Sequence, residues 1–332
     1  MRVSGFLTAG VVLLATPPLP AQVHDERTLS LKEWPVEFGG QTRDPFVASD
    51  GRVWFVAQRG NYLGVFDPTT ERFTRYELET GTVPHDVLED REGFMWYASL
   101  GNGHIGKVDP ATGQRIQRFE TGATRVNTMV FDQKGDLWFT NGVGNSTVGR
   151  LQPSTGKVDL LTPVVGIATG SRPYGIDVDP SGRVWAPLFE TNVMAAVDPN
   201  LNVKLYRMPN EDSRPRRTAV TADGMVWYGD YPRGRLGRID PATGEIKEWL
   251  APGGEQAALY GIMADDQGRV WFAETGEPKR IVGFDPRTEK FFAIVPVSGT
   301  IRNFFFDKGT GMLWFGTDAN SIGRILTRNA TT

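Results

Sequence analysis

Histidine is the side chain whose ordinary pKa lies closest to neutrality, and this 332-residue sequence has only three histidines and no cysteine. His85 lies in the segment PHDVLEDREGFMW, residues 84–96. In a concave site it could act as a general base or bind a ligand. The lack of cysteine excludes disulfides, thiolate metal sites and covalent haem attachment. No Ser-His-Asp order, phosphate loop or histidine metal spacing occurs, so we expect neither haem nor a nucleotide cofactor.

The segment around His85 recurs along the chain, as in RDPFVASDGRVW and RPYGIDVDPSGRVW. A period of about 40 to 50 residues with strand signals is typical of a β-propeller. Each copy combines an alternating apolar stretch, a turn with Asp or Gly, a VWF-like strand and two further strand patterns. The copies end at seven tryptophans: Trp54, Trp96, Trp138, Trp185, Trp227, Trp271 and Trp314.

The two ends of the repeat region complete each other. The last copy stops after its third strand, SIGRILTR, whereas an unassigned strand, TLSLKEWPVEF, precedes the first copy. Pairing these strands would close the ring and remove its free strand edges. We therefore predict an all-β fold, a single seven-bladed β-propeller of four-stranded blades over residues 22–332. The tryptophans are interpreted as packing between blades, because large buried aromatic rings dominate core energetics.

Residues 1–21 resemble a secretory signal peptide, with a basic residue, a short apolar run and small residues before cleavage after Ala21. The prediction is a bacterial periplasmic or secreted protein. The apolar run is too short for a membrane span. The net charge of −3 includes no long run of one sign, so we expect no nucleic-acid or membrane partner. We also expect a monomer with a small-molecule ligand.

One residue per repeat stands where the inner strand of its blade starts, next to the central channel. These residues are polar or aromatic, whereas neighbouring strand positions are aliphatic, and converging polar groups indicate a binding site. Two arginines among them favour anionic or carbonyl-rich ligands. This channel set comprises Asp44, His85, Asn127, Tyr174, Arg216, Tyr260 and Arg302, the last exchangeable with Asn303.

Three acidic residues follow the tryptophans of the last three repeats by three or four positions: Asp230, Glu274 and Asp318. Mg²⁺ and Ca²⁺ prefer oxygen ligands, so these carboxylates are the predicted metal ligands if a divalent ion binds. The alternative is that Arg216 and Arg302 pair with these acids, or that the acids are solvated loop charges.

The repeat RPYGIDVDPSGRVW, followed by a third strand of the IGRI type, resembles the virginiamycin B lyase (streptogramin lyase) family over the whole mature chain. The resemblance implies a propeller that linearises cyclic streptogramin B depsipeptides by elimination at the ester bond. It also implies Mg²⁺ and a histidine general base. In this sequence the segment that would carry that histidine reads IRNF, so Arg302 or Asn303 replaces the base.

Other functional positions implied by the resemblance also differ. The position of a second family histidine holds Tyr260, and that of a first-blade tyrosine holds Asp44. A family glutamate falls near Thr300, and only Asp318 keeps an acidic side chain where the family has a glutamate. His85 occupies the equivalent ring position, but in the second blade.

Arginine stays protonated, and a tyrosine with an ordinary pKa near 10 supplies little phenolate at neutral pH. We therefore expect a ligand-binding propeller without efficient streptogramin lyase turnover. If the protein is an enzyme, it is a metal-dependent carbon–oxygen lyase or lactonase with a rearranged site, and His85, Tyr260 and Arg302 are its candidate catalytic residues. A third possibility is a protein-interaction scaffold, which would expose an apolar patch on one face.

Overall fold

The computed structural model describes residues 29–142, 146–162 and 170–330. The predicted signal peptide, residues 1–21, lies outside the described residues. The described chain forms 28 β-strands and two short 3₁₀ helices, Gly254–Gln256 and Thr327–Asn329. No helix among these residues is long and apolar enough to cross a membrane.

The strands form seven four-stranded antiparallel sheets, which are the blades, and the all-β propeller prediction is confirmed. Blade one comprises β2 (Thr42–Val47), β3 (Val53–Ala57), β4 (Tyr62–Asp67) and β5 (Arg72–Glu77). Blade two comprises β6 (Pro84–Glu89), β7 (Met95–Ser99), β8 (His104–Val108) and β9 (Arg115–Glu120). Blade three comprises β10 (Met129–Phe131), β11 (Leu137–Asn141), β12 (Thr147–Gln152) and β13 (Lys157–Leu161).

The remaining blades continue in chain order. Blade four comprises β14 (Asp177–Val178), β15 (Val184–Leu188), β16 (Val193–Val197) and β17 (Val203–Arg207). Blade five comprises β18 (Pro215–Val220), β19 (Val226–Asp230), β20 (Arg235–Ile239) and β21 (Ile246–Leu250). Blade six comprises β22 (Leu259–Ala264), β23 (Val270–Glu274), β24 (Arg280–Asp285) and β25 (Lys290–Pro296). Blade seven comprises β26 (Ile301–Asp307), β27 (Met312–Thr317), β28 (Ser321–Leu326) and β1 (Lys32–Pro35).

Blade seven joins the two ends of the ring. β1 pairs antiparallel with β28, with Trp34 opposite Ile322 and Pro35 opposite Ser321. The predicted completion of the last blade by an amino-terminal strand is therefore confirmed. This pairing covers the outer edge of β28, which would otherwise offer unpaired backbone groups to another chain.

The seven repeat tryptophans are all buried, with at most 3% of their surface exposed. In four blades the indole N–H donates to the aspartate six residues earlier, which also organises the turn between the first two strands. A buried indole N–H usually finds such a partner, although that of Trp54 has none among the described residues. These pairs are Trp96 with Asp90 at 2.7 Å, Trp138 with Asp132 at 3.0 Å, Trp185 with Asp179 at 2.9 Å and Trp271 with Asp265 at 2.8 Å.

The glycine of the IGRI-type third strand lies against an aromatic ring of the second strand. A Cβ at Gly149 would lie 2.1 Å from the Phe139 ring, and one at Gly237 would lie 2.1 Å from the Tyr228 ring. No side chain fits at these distances, so only glycine allows the ring to cross the neighbouring strand. The most regular motif of the sequence is thus explained by packing.

Candidate functional site in the axial channel

Most inner strands of the propeller begin with a β-bulge. A bulge bends its strand and redirects side chains, and bulges are enriched next to functional sites. Five strands show a register shift at the channel set: around Asp44 in β2, His85 in β6, Arg216 in β18, Tyr260 in β22 and Arg302 in β26. As a result, residues adjacent in sequence, such as Arg216 and Arg217, both reach the channel interior.

The backbone is strained where two of these strands start. Asp44 has a φ of 41°, and Val83, two residues before His85, has a φ of 48°. A positive φ is unusual for any residue with a Cβ and most unusual for a β-branched one. Each such position costs on the order of 1–3 kcal/mol, and strain of this kind clusters at functional sites.

A buried ion triad lies at the centre of the channel. Arg43 Nε donates to Asp44 Oδ1 at 3.0 Å, and Arg217 Nη2 donates to Asp44 Oδ2 at 2.6 Å. Burial alone would raise the pKa of the Asp44 carboxyl, but Arg217 and Arg43 hold it well below its usual range. Asp44 has no exposed surface. The prediction that it lines an open funnel is not what the structure shows.

Three titratable rings from blades two, four and six meet beside this triad. The Tyr174 hydroxyl lies 3.4 Å from His85 Nε2 and forms a short hydrogen bond with the Tyr260 hydroxyl. Burial, reinforced by the charge of Arg43, lowers the pKa of His85 well below its ordinary value, so His85 is neutral at pH 7. Burial raises the pKa of Tyr260.

Tyr174 behaves differently from Tyr260 because more positive charge surrounds it. Burial would raise the pKa of its hydroxyl, but Arg43, Arg217 and Arg216 together outweigh burial and lower it to about 7. The expectation of little phenolate at neutral pH concerned Tyr260, whose pKa is raised, and it does not extend to Tyr174. A tyrosine with this pKa can accept a proton at neutral pH.

Arg216 and Arg302 are the half-buried members of the channel set. The Arg216 guanidinium lies 3.6 Å from the Tyr260 ring centroid and 4.4 Å from that of Tyr231. Arg302 Nη1 donates to the Tyr260 hydroxyl at 3.4 Å. Within the described part of the chain, no salt bridge joins either guanidinium to a carboxylate, and the Nε atoms of both are buried without a hydrogen-bond partner.

The remaining members of the channel set are interior residues. His85, Asn127, Tyr174 and Tyr260 are each at most 5% exposed. Asn127 Nδ2 donates to the Pro173 carbonyl at 3.4 Å and so connects blades three and four. The channel is therefore filled at its centre, and its accessible polar surface lies on the side of Arg216 and Arg302.

The three predicted metal ligands each hold the loop that leads into their own blade. Asp230 accepts a hydrogen bond from the Arg214 N–H at 2.9 Å, Glu274 from the Gly253 N–H at 2.7 Å and Asp318 from the Thr300 N–H at 2.7 Å. Within the described ranges, no group of three or more acidic or histidine side chains is arranged to hold a metal ion. The metal site stays a prediction that this geometry does not support.

Two of these acids also have arginine partners, but not the predicted ones. Arg233 Nη1 lies 2.9 Å from Asp230, and Arg280 pairs with Glu274. The alternative in which Arg216 and Arg302 neutralise these acids is therefore wrong. The reason is geometric, because the acids lie at the ends of the second strands and face their own blade loops.

Sequence reasoning missed three residues of the channel: Arg43, Arg217 and Asp86. Each is the sequence neighbour of a channel-set residue, in the pairs RD, RR and HD. Two consecutive titratable residues at the start of an inner strand were the available signal. An ideal strand would point one of them away from the channel, and the bulges remove that alternation.

Comparison with known proteins agrees with this architecture. The sequence profile of the Virginiamycin B lyase family matches residues 162–332, just over half of the chain. The chain belongs to the virginiamycin B lyase family. The resemblance carried by the repeat is thereby confirmed. No curated protein sequence matches this family member.

Solved structures with the same fold include two lyases and a hydrazine synthase. A streptogramin B lyase is 21% identical with a TM-score of 0.78, and the match covers 89% of this chain and 96% of that one. The virginiamycin B lyase of Staphylococcus aureus is 20% identical with a TM-score of 0.79, covering 89% and 98%. Hydrazine synthase of Kuenenia stuttgartiensis is 13% identical with a TM-score of 0.72, covering 89% and 97%. At these identities the matches show the fold alone.

Proposed function

We propose that this exported propeller binds a small anionic or carbonyl-rich ligand in its axial channel, beside Arg216, Tyr260 and Arg302. The observation that carries the proposal is the pair of half-buried guanidinium groups without a carboxylate partner among the described residues. An unpaired charge in a partly desolvated site is costly, and an anionic ligand would remove that cost.

The surroundings of the two arginines suit this role. Arg216 stacks on the Tyr260 ring, and the Phe189 centroid lies 4.7 Å from its guanidinium. Aromatic faces fix the plane of a guanidinium while leaving its N–H edge free for bidentate hydrogen bonds. Deeper in the channel, Arg43 and Arg217 share the carboxylate of Asp44, so this carboxylate is not available to Arg216 or Arg302.

We further propose that streptogramin B is not turned over efficiently. Elimination needs a base at the acidic carbon-bound proton, and the corresponding position holds Arg302 or Asn303. Arginine cannot serve as this base because it stays protonated.

A second candidate function is a carbon–oxygen lyase or lactonase with a rearranged site. The specific observation in its favour is Tyr174, whose pKa of about 7 makes phenolate available at neutral pH. Its contact with His85 Nε2 at 3.4 Å offers a route for the proton. In this alternative an anionic transition state would lie beside Arg216. Turnover of a lactone by the wild type, lost in Tyr174→Phe, would test this alternative.

The scaffold alternative has weaker support. The large apolar residues that are exposed include Ile116 in β9, Leu160 in β13, Leu205 in β17 and Leu250 in β21. They lie one or two per blade on the outer strands, and single exposed apolar residues of this kind are normal on a soluble surface.

The proposed binding function is tested by thermal shift with small carboxylates, their neutral amides and amines of matched size. Carboxylates should stabilise the wild type most, and Arg216→Ala and Arg302→Ala should each lose that stabilisation. Arg238→Ala is the matched control, because Arg238 is also half-buried and stacked on aromatic rings of blade five, Trp227 and Trp249. A preference for amines, or shifts that survive in Arg216→Ala, would contradict the proposal.

A further inference from the structure

A second concave site lies further along the inner strands, beyond the central ion triad. It is a cavity of about 330 Å³, lined by residues that follow the channel set in sequence, from Phe46 in β2 to Phe305 in β26. Its size is at the lower end of the range for small-molecule sites. It differs from the proposed anion site, because Arg216, Tyr260 and Arg302 do not line it.

One wall of this cavity is apolar and aromatic. The rings of Phe46 and Phe305 are in contact, with centroids 4.4 Å apart, and both side chains are only partly buried. Met263, also partly buried, lies on the same wall. Aromatic and thioether side chains of this kind adapt to an apolar ligand group.

Two carboxylates lie on the polar part of the lining. Asp86 accepts hydrogen bonds from the Val87 and Met129 N–H groups at 3.0 and 2.7 Å. Asp177 accepts from the Val178 and Val220 N–H groups, both at 2.8 Å. The backbone hydrogen bonds fix both carboxylates in place. Each carboxylate oxygen can still accept a second hydrogen bond from a ligand.

Arg217 supplies the opposite charge. The residue is 2% exposed and lines the cavity, and its Nη2 donates to Asp44. Its Nε is buried and has no hydrogen-bond partner. A buried donor without a partner costs free energy that a ligand acceptor would recover. The cavity therefore combines acceptors for a cation, a donor for an anion and an apolar wall.

We propose that this cavity binds an apolar α-amino acid, with its ammonium at Asp86 and Asp177, its carboxylate at Arg217 and its side chain against Phe46, Phe305 and Met263. This site goes beyond the proposed channel function. The two sites lie on either side of the ion triad and share no ligand-binding side chain.

The protonation of the two aspartates gives the site a measurable signature. Burial raises the pKa of Asp86 to about 7 and that of Asp177 to about 6. A bound ammonium group favours the charged carboxylates and lowers both pKa values. Binding near pH 6.5 should therefore release protons, and its observed enthalpy should change with the ionisation enthalpy of the buffer.

Isothermal titration calorimetry on the mature Arg216→Ala protein, in which the proposed channel anion site is removed, tests the proposal with three probes of similar shape. L-Phenylalanine carries both charged groups, phenethylamine lacks the carboxylate and 3-phenylpropionate lacks the ammonium. Loss of one charge-assisted contact should weaken binding about tenfold or more. Equal affinity of phenethylamine and phenylalanine would overturn the carboxylate assignment. Equal affinity of phenylpropionate would overturn the ammonium assignment, and absence of binding by all three would overturn the site.

Asp177→Asn should weaken phenylalanine binding about tenfold while leaving phenylpropionate binding unchanged. Asp132→Asn is the matched control, because Asp132 also accepts backbone hydrogen bonds in a turn but does not line the cavity. An equal loss in both variants would show a general structural effect and refute the contact. Arg216→Ala should leave phenylalanine binding intact, so failure of the channel proposal and failure of this one are distinguishable.

Discussion

Asp44→Asn removes the only negative charge of the ion triad and leaves Arg43 and Arg217 unpaired in the interior. The wild-type carboxylate has no exposed surface and binds one guanidinium with each oxygen, at 3.0 and 2.6 Å. Removing one partner of a buried ion pair costs about 3–5 kcal/mol. Here one substitution affects two pairs, so we expect a loss at the upper end of that range, about 5 kcal/mol.

Urea unfolding followed by tryptophan fluorescence measures this loss, and the thermal midpoint should fall by roughly 10 °C, since about 2 °C corresponds to 1 kcal/mol in a large domain. Asp318→Asn is the control, because Asp318 is exposed and accepts one backbone hydrogen bond in its loop. Formate should restore part of the stability of Asp44→Asn by binding the released guanidinium groups, and it should not affect the control. A loss below about 1 kcal/mol would refute the buried triad, because a solvent-exposed pair contributes no more than that.

Four further predictions follow from the described geometry. Trp138→Ala should lower the unfolding free energy by about 3–5 kcal/mol, and an unchanged denaturation midpoint would place Trp138 outside the core. Tyrosinate absorbance should appear near pH 7 in the wild type and be absent at that pH in Tyr174→Phe. The pKa of Tyr174 is about 7 in the folded state and near 10 in the unfolded state, so its ionisation should raise the unfolding free energy between pH 7 and pH 10. This contribution should be lost as the pH falls through 7. If Mg²⁺ or Ca²⁺ binds at the predicted acids, Glu274→Gln should abolish the calorimetric signal, and unchanged binding would remove that site. The mature protein should linearise streptogramin B about 10² to 10⁴-fold more slowly than an enzyme with a placed base, and rapid Mg²⁺-dependent formation of an isobaric unsaturated product would contradict this.

The fold was predictable because each repeat contains single residues that identify its strands. Each tryptophan identifies the second strand of a blade, and the glycine of the third strand, as at Gly149, has a steric cause visible in the structure. The unassigned strand around Trp34 had to pair with the incomplete last repeat, and it does so opposite Ile322. Local patterns of this kind need no knowledge of distant contacts.

The channel was predictable in its positions but not in its contacts. Counting from the tryptophans selected Arg216, which lies near the start of β18, and Tyr174, which lies three residues before β14. It could not show that Arg217 also faces the interior, because a bulge changes the alternation of side chains without a clear sequence signal. It also could not show that the pKa of Tyr174 is low, because that depends on Arg43 from another blade.

The predicted metal site at the acidic positions lacks support from the geometry for a related reason. Asp230 and Glu274 stand at equivalent places in neighbouring blades, which favoured a shared metal. In the structure each carboxylate is directed to the loop of its own blade, at the Arg214 and Gly253 N–H groups. Equivalent repeat positions give equivalent local contacts. For the carboxylates to bind one ion, their side chains would also have to point towards a common centre, and the spacing of the residues in the sequence does not determine that direction.

The central claim is that Arg216 and Arg302 form an anion site at the accessible side of the channel. Anomalous diffraction from crystals soaked in bromide tests it most directly, because the scattering locates the ion without assumptions about the natural ligand. The account predicts a bromide peak in hydrogen-bond contact with both guanidinium groups and its loss in Arg216→Ala. Occupied bromide sites elsewhere on the protein with none at these arginines, or a carboxylate of the chain paired with them, would contradict it.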